Sequence, residues 1–354
     1  MSEKKNIIYI NGRFLTQKTT GVQRYAIEVT KQLDKIESDY RFVVLAPKKG
    51  IIQSLELTNI EILNIGNLTG HLWEQISLPL YIIRHNRKAK LLNMCNIAPI
   101  LFPGYTVIHD ISFKTHPEHL SKKFSLWYRF ITKLNIKRYN HIFTVSEFSK
   151  NEILDNYHIN KSKVSITYNS AEHVKKIKPD NNILTKFGLK DKDFYFSLGS
   201  KSPHKNHKYI VECAKNNPEE LFVVSGNNSN VFKNENDEKQ YIKNLIYTGY
   251  LTDEEIVALY KNCKAFIFPS LYEGFGVPPL EALECGCKNI ILSDIPVFRE
   301  IYRNGVIFVD VSKRAPAMKK IILSKNSNQN NNTRKTYLWG NVMKEIIEQL
   351  TFTH

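Results

Sequence analysis

Short runs of Ile, Val, Leu and Phe recur along the whole chain, with helix-patterned stretches between them. They fall at 7–10, 42–46, 60–64, 91–94, 106–109, 142–145 and 164–168 in the first half. The second half repeats the series at 194–198, 221–225, 245–248, 265–268, 289–293 and 306–309. Most are continuously apolar instead of alternating. A strand of that kind must be covered on both faces, which parallel sheets achieve with crossover helices. Residues 21–36 and 253–262 are the clearest helical intervals. The pattern predicts an α/β protein with doubly wound parallel sheets.

A length of 354 residues exceeds one ordinary core. The series occurs twice, with a polar, basic seam near 170–182 between the halves. Two Rossmann-like domains are therefore expected, over 1–172 and 173–325. The stretch SKNSNQNNNTRK at 324–335 reads as a solvated linker. Beyond it Trp339, Val342, Ile346 and Leu350 share one face of a helix. Such a helix must bury that face, and a C-terminal segment over 336–354 packed back on the first domain is the expectation. The longest apolar-looking run, 97–108, is cut by Pro99 and Pro103, so no spanning helix is expected. The five cysteines are scattered and odd in number, and the N-terminus lacks the pattern of a secretory leader. Reduced thiols and a cytoplasmic chain are the expectation.

Chemistry concentrates in PSLYEGFGVPPLEALECG at 269–286. Gly274 and Gly276 let backbone approach a ligand closely. Pro278 and Pro279 suit the first turn of a helix. Glu273 then sits on the loop after a strand, and Glu281 is expected in that first helical turn. A helix N-terminus after a parallel strand is where α/β proteins hold phosphates. Two carboxylates there suit a hydroxyl-rich group, because ionised carboxylates only accept hydrogen bonds. Asp191 and Asp193 have metal-binding spacing but precede a strand, at the wrong end for a ligand cleft. Cys285 and Cys287 lack a second pair, and no metal site is expected.

This segment resembles the E-x7-E signature of retaining glycosyltransferases with the GT-B fold, in the large family-four group. Similar in the same order are TGVQRYAIEV at 20–29, HLWEQISLP at 71–79, HDISFKTHPE at 109–118, VSEFSKNEI at 145–153, SLGSKSPHKNHKYI at 197–210 and TGYLTDEEI at 248–256. The resemblance implies two facing Rossmann-like domains, a C-terminal crossover helix and a nucleotide sugar held without metal or other cofactor. It implies that Glu281 holds the ribose hydroxyls and that Glu273 lies close to the donor sugar. Gly274, Phe275, Gly276 and Val277 would offer backbone to sugar and phosphate. Lys205 would neutralise the diphosphate, and Gly199 and Ser200 would line it. Many family members carry arginine where this chain has Ser200, leaving Lys201 or His204 to supply a second charge. His109 would lie near the transferred sugar. Gly12 and Gly21 would let the first domain's loop approach the diphosphate and acceptor.

The function implied is transfer of a hexosyl or deoxyhexosyl unit from a GDP-, UDP- or dTDP-sugar. The acceptor would be a polyprenyl-diphosphate-linked glycan in the assembly of a bacterial surface polysaccharide such as O-antigen or capsule. Alternatives are an epimerase or phosphorylase-like enzyme on the same fold, or a basic nucleic-acid-binding protein. The net charge of +16 prompts the last, but no zinc-finger spacing or RNP-like motif supports it. Residues 121–139 carry a basic row, Arg129, Lys133 and Lys137. Beside it Phe124, Trp127, Tyr128, Ile131 and Leu134 are read as one apolar face. A basic, aromatic, amphipathic helix can lie on an anionic membrane, so a peripheral location on the inner face of the cytoplasmic membrane is expected.

Overall fold

The computed structural model describes residues 6–199, 202–226, 242–303, 305–315, 317–323 and 337–352. The chain divides into two units, Met1–Asn169 with Leu338–His354, and Ser170–Tyr337. The expected linker at 324–335 lies outside the described residues.

The first unit holds strands β1 (Asn6–Asn11), β2 (Tyr40–Pro47), β3 (Glu61–Ile65), β4 (Lys90–Asn93), β5 (Tyr105–Val107), β6 (His141–Thr144) and β7 (Val164–Ile166). They form one sheet in the order β3-β2-β1-β4-β5-β6-β7. Its helices are α1 (Gly21–Leu33), α2 (Gly70–Leu72), α3 (Leu78–His85), α4 (Ser112–Thr115), α5 (Lys122–Asn135) and α6 (Glu147–Tyr157). A π-helical turn, Trp73–Ser77, joins α2 to α3.

The second unit begins with α7 (Asn182–Lys186), then β8 (Phe194–Leu198), α8 (His207–Asn216), β9 (Leu221–Ser225) and β10 (Leu245–Gly249). It continues through α9 (Asp253–Asn262), β11 (Ala265–Phe268), α10 (Val277–Glu284), β12 (Ile290–Ser293), α11 (Pro296–Tyr302), β13 (Ile307–Val309) and α12 (Met318–Leu323). Its sheet runs β10-β9-β8-β11-β12-β13. The ladders of both sheets are parallel throughout, for example Ile8 opposite Phe42 and Phe266 opposite Phe196. Inner strands such as β6, β11 and β12 are thus buried at every residue, and the strand order of each sheet reverses once, at β1/β4 and at β8/β11.

Local chemistry sets several boundaries. Thr252 and Glu255 form a reciprocal cap on α9, with Thr252 N–H donating to Glu255 Oε2 at 2.9 Å and Glu255 N–H to Thr252 Oγ1 at 3.3 Å. Helix α1 ends at Leu33, short of residue 36. Asp34 turns instead to the backbone N–H groups of Thr58, Asn59 and Ile60 at 2.7, 2.7 and 2.8 Å. Strand β5 stops at Val107, because the His109 N–H leaves the ladder for Asn96 Oδ1 at 2.7 Å.

Helix α5 corrects the expected apolar face. Tyr128 and Ile131 are buried, but Phe124 and Leu134 are each 40% exposed. The buried stripe runs through Ser125, Tyr128, Ile131, Thr132 and Asn135. Two polar anchors fix that rotation: Ser125 Oγ donates to the Phe113 carbonyl at 2.7 Å and Asn135 Nδ2 to the Ala98 carbonyl at 3.1 Å. Among the described residues no helix is long and apolar enough to cross a membrane.

The C-terminal helix α13 (Trp339–Phe352) lies within the first unit. It buries Trp339, Val342, Met343, Ile346 and Leu350. The Trp339 ring meets Tyr25 of α1 edge-on at 5.7 Å between centroids. Trp339→Ala removes the largest side chain of this contact and leaves a cavity, at a cost of about 3–5 kcal/mol. Urea unfolding should show a clearly lowered midpoint, and an unchanged midpoint would mean that α13 contributes little to the first unit.

Candidate functional site

In the second unit the direction reversal lies between β8 and β11, and the loops leaving the carboxyl ends of these two strands carry the predicted residues. After β11 the chain runs through Glu273, Gly274 and Phe275 to Gly276, which begins α10 with φ +88°. Three contacts shape this loop. Tyr302 Oη donates to the Gly276 carbonyl, Ser293 Oγ donates to the Ser270 carbonyl, and the Leu271 N–H donates to the His204 carbonyl at 2.7 Å. The last contact ties the β11 loop to the β8 loop. Phe275 is buried, with its ring edge-on to Tyr337 at 5.5 Å. Val277 opens α10 and is partly buried.

The β8 loop brings up the cation. Gly199 N–H donates to the Ser225 carbonyl at 3.0 Å, while Ser200 and Lys201 lie outside the described residues. Lys205 closes the short helical turn Pro203–Lys205. Its Nζ is 2.5 Å from Glu273 Oε1 and stands 4.9 Å from the centroid of Phe268. Neither partner is fully shielded, with side-chain exposures of 21% and 13%. This ion pair places the two predicted side chains in direct contact.

Glu281 is the fifth residue of α10 and so sits in its second turn, a correction to the first-turn expectation. Stabilisation of a carboxylate by the helix terminus is confined to the first turn. The observed position therefore relates Glu281 to its side-chain neighbours. His173 Nε2 lies 3.0 Å from Glu281 Oε1, and Tyr260 Oη donates to Glu281 Oε2 at 3.2 Å. Burial, then the adjacent Glu281 charge, pushes the Tyr260 phenol well above its ordinary range, so it remains a donor. His173 and Tyr260 were not visible as site residues in the sequence. His173 is 108 positions from Glu281, and no local motif surrounds it.

His109 and Gly21 belong to the first unit. His109 is buried, its Nε2–H donates to the Met94 carbonyl at 3.0 Å, and its ring meets Tyr25 at 5.0 Å. Burial lowers its pKa, outweighing the Met94 carbonyl and Asp110, so the Nδ1 lone pair is retained at neutral pH. Gly21 is the first residue of α1, after the Thr20–Gln23 cap, with open space where a Cβ would stand.

A buried polar cluster at the β1/β4 reversal also escaped the sequence reading. Arg13 Nε is 3.1 Å from Glu74 Oε1, and Asn11 Nδ2 donates to Glu74 Oε1 at 2.8 Å and to Asn93 Oδ1 at 3.0 Å. Burial alone would raise the Glu74 carboxyl, but Arg13, with His71 and Asn11, holds it below the ordinary carboxylate range. The motif HLWEQISLP supplied a signal, since a glutamate amid apolar residues needs a partner.

Among the described residues, His116, Glu118 and His119 of the first unit lie close enough to share a metal ion. Asp191 and Asp193 precede β8, and Asp193 faces Lys264 at 3.7 Å. Cys287 lies in contact with Cys263, Sγ to Sγ 3.5 Å, both as buried thiols.

Comparison with known proteins gives these arrangements a context. Residues 180–337 match the family model described as glycosyl transferases group 1. The O-antigen chain mannosyltransferase RfbU of Salmonella typhimurium is 28% identical over 242 residues, covering 65% of this chain and 63% of RfbU. The serotype-specific mannosyltransferase WbdA of Escherichia coli is 30% identical over 181 residues, covering 44% of this chain and 21% of WbdA. The chain thus spans less than two thirds of the length of either relative. Among solved structures, sucrose-phosphate synthase from Thermosynechococcus elongatus superposes with a TM-score of 0.71 at 13% identity, covering 98% of this chain and 99% of that one. The fold is GT-B.

Gly276 is the backbone position on which the loop turns. A Cβ there would stand 2.5 Å from Phe298 Cε1, in a left-handed conformation that costs an L residue about 1–2 kcal/mol. Gly276→Ala should destabilise the chain in urea unfolding. Adding Phe298→Leu should recover only the steric part, because the backbone strain remains. Full recovery in the double variant would show that positive φ carries no cost at this position.

Proposed function

We propose, from the match of residues 180–337 to the glycosyl transferases group 1 family model, that this chain is a retaining, metal-independent glycosyltransferase acting on a nucleoside-diphosphate sugar. The observation that carries the proposal is the joining of Lys205 and Glu273, on loops at the carboxyl ends of β8 and β11, with Glu281 held on α10, the helix that follows the β11 loop. In this reading Glu281 accepts from the ribose hydroxyls. Lys205 exchanges Glu273 for the diphosphate and stabilises the negative charge that grows as the diphosphate leaves. A lysine with oriented backbone N–H groups does there what a divalent cation does in other transferases. The acceptor oxygen bonds to the anomeric carbon on the face the diphosphate departs, and the acceptor's proton passes to the leaving phosphate oxygen.

Mannose is the first sugar to test, because RfbU and WbdA are both named mannosyltransferases. The acceptor in this reading is a polyprenyl-diphosphate-linked glycan of O-antigen or capsule assembly, of which RfbU's name supports the O-antigen part. Helix α5 supports a membrane-facing first unit. Leu126, Phe130 and Leu134 form an exposed apolar row, at 65%, 54% and 40% exposure. Arg129 and Lys133, also exposed, run beside it at the same four-residue step, and exposed Lys137 follows in the turn after the helix. Apolar and cationic rows side by side are what an interfacial helix presents to anionic lipid.

Incubation with GDP-mannose, UDP-hexoses and dTDP-rhamnose in excess EDTA should release nucleoside diphosphate from one donor, with the anomeric configuration kept on transfer. Loss of turnover on chelation, restored by magnesium or manganese, would overturn the metal-independent reading.

Each basic residue near an anionic surface contributes about 1 kcal/mol. Changing Arg129, Lys133 and Lys137 together to glutamate should therefore sharply reduce co-sedimentation with phosphatidylglycerol vesicles at low salt, with donor hydrolysis retained. Equal sedimentation of the variant and the wild type would remove α5 from any membrane contact.

A further inference from the structure

We infer that His173 and Tyr260 are positioning residues that fix the Glu281 carboxylate for a vicinal diol, and so set how strongly the site tells ribose from deoxyribose. The inference rests on the ribose role given to Glu281 above. A glutamate has three rotatable side-chain bonds, and a ligand that must first order it binds more weakly than one meeting an ordered group. Here each carboxylate oxygen is already held by its own donor. His173 Nε2 is 3.0 Å from Oε1, and Tyr260 Oη is 3.2 Å from Oε2.

The histidine's own surroundings select the donor tautomer. His173 Nδ1 is buried and has no hydrogen-bond partner among the described residues. A proton on Nδ1 would be a buried, unsatisfied donor, so the tautomer that the geometry selects carries its proton on Nε2 and gives it to Glu281. A carboxylate has roughly four acceptor positions. Filling one on each oxygen leaves each oxygen able to accept one hydroxyl, which matches the paired hydroxyls of ribose.

The support of His173 is itself anchored. The short helical turn Glu172–Lys176 carries both His173 and Lys175. Lys175 Nζ is 3.2 Å from Glu284, three residues beyond Glu281 on α10. The turn is therefore stapled to α10 at two points, which keeps the imidazole in register with the carboxylate. Tyr260 comes from a different element, α9, with its ring packed edge-on against Phe266 at 5.1 Å.

The test is calorimetric binding of GDP and UDP, each against its 2′,3′-dideoxy counterpart, to the full chain and four variants. His173→Met keeps side-chain bulk and removes the donor, and His173→Gln restores a donor near the Nε2 position. Tyr260→Phe deletes only the hydroxyl, and Glu281→Ala is the reference. The wild type should prefer the ribose form of the nucleotide it binds. Glu281→Ala should abolish that preference. His173→Met and Tyr260→Phe should each weaken the ribose form by roughly three- to tenfold. They should leave the dideoxy form almost unchanged, so the ratio falls toward unity, and His173→Gln should restore it. A purely structural role would lower both affinities together and would not separate Gln from Met. If Glu281→Ala loses the preference while His173→Met and Tyr260→Phe keep it, the positioning role is wrong and the ribose role stands. If Glu281→Ala keeps the preference, or neither nucleotide binds the wild type, the ribose reading falls and takes this inference with it. Should His173→Met not fold, Tyr260→Phe alone decides between these outcomes.

Discussion

Parallel pairing is the constraint on which the remainder of this molecule depends. Strands that run the same way must be joined by crossovers, so each sheet is covered on both faces and opens to ligand only at its strand ends. In the second unit the strand order reverses between β8 and β11, the kind of position at which open α/β sheets hold ligands. Lys205 arrives on one loop and Glu273 on the other, and the contact between Leu271 and His204 binds the loops into one structure. The first unit repeats the geometry at β1 and β4, where Asn11, Asn93, Arg13 and Glu74 gather.

Electrostatic satisfaction explains why these groups are held as they are. A partly buried lysine needs a partner charge, and Glu273 supplies it at 2.5 Å. In the function proposed above, that pairing orders the cation before charge develops on the leaving group. Glu281 has His173 and Tyr260 as its neighbours instead, one on each carboxylate oxygen. The two glutamates of a single motif thereby occupy different environments, one against a lysine and one between a histidine and a tyrosine. In the first unit Arg13 and Glu74 are buried together, an arrangement that hydrophobic residues of equal volume often match in stability. Its position at the strand reversal accords with a role in ligand recognition.

The surface of the first unit follows a related logic. Helix α5 is anchored through Ser125 and Asn135, and that rotation leaves Leu126, Phe130 and Leu134 in solvent beside a row of cations. Periodicity alone places Phe124 and Leu134 inward, because apolar side chains are counted as core. Two hydrogen bonds to backbone carbonyls, of Phe113 in α4 and of Ala98, made by residues that look like surface positions, settle the rotation differently.

Local pattern was enough for the strands, since an apolar run flanked by helix signals can be satisfied in few ways. Strands β8, β9 and β11 begin and end where the runs at 194–198, 221–225 and 265–268 do. The E-x7-E segment was also readable, because its glycines, prolines and glutamates act within one loop and one helix. Element ends were less so: β5 stops early because Asn96, distant in sequence, captures the His109 N–H. Equally hidden were His173 and Tyr260, whose meaning comes only from their distance to Glu281 across 108 and 21 positions. Hydrophobic pattern and turn chemistry are properties of neighbouring residues, so they fixed the layers and the motif loop. A carboxylate's hydrogen-bond partners and the rotation of a helix are decided by groups far apart in the chain, and these existed only once the sheets had closed.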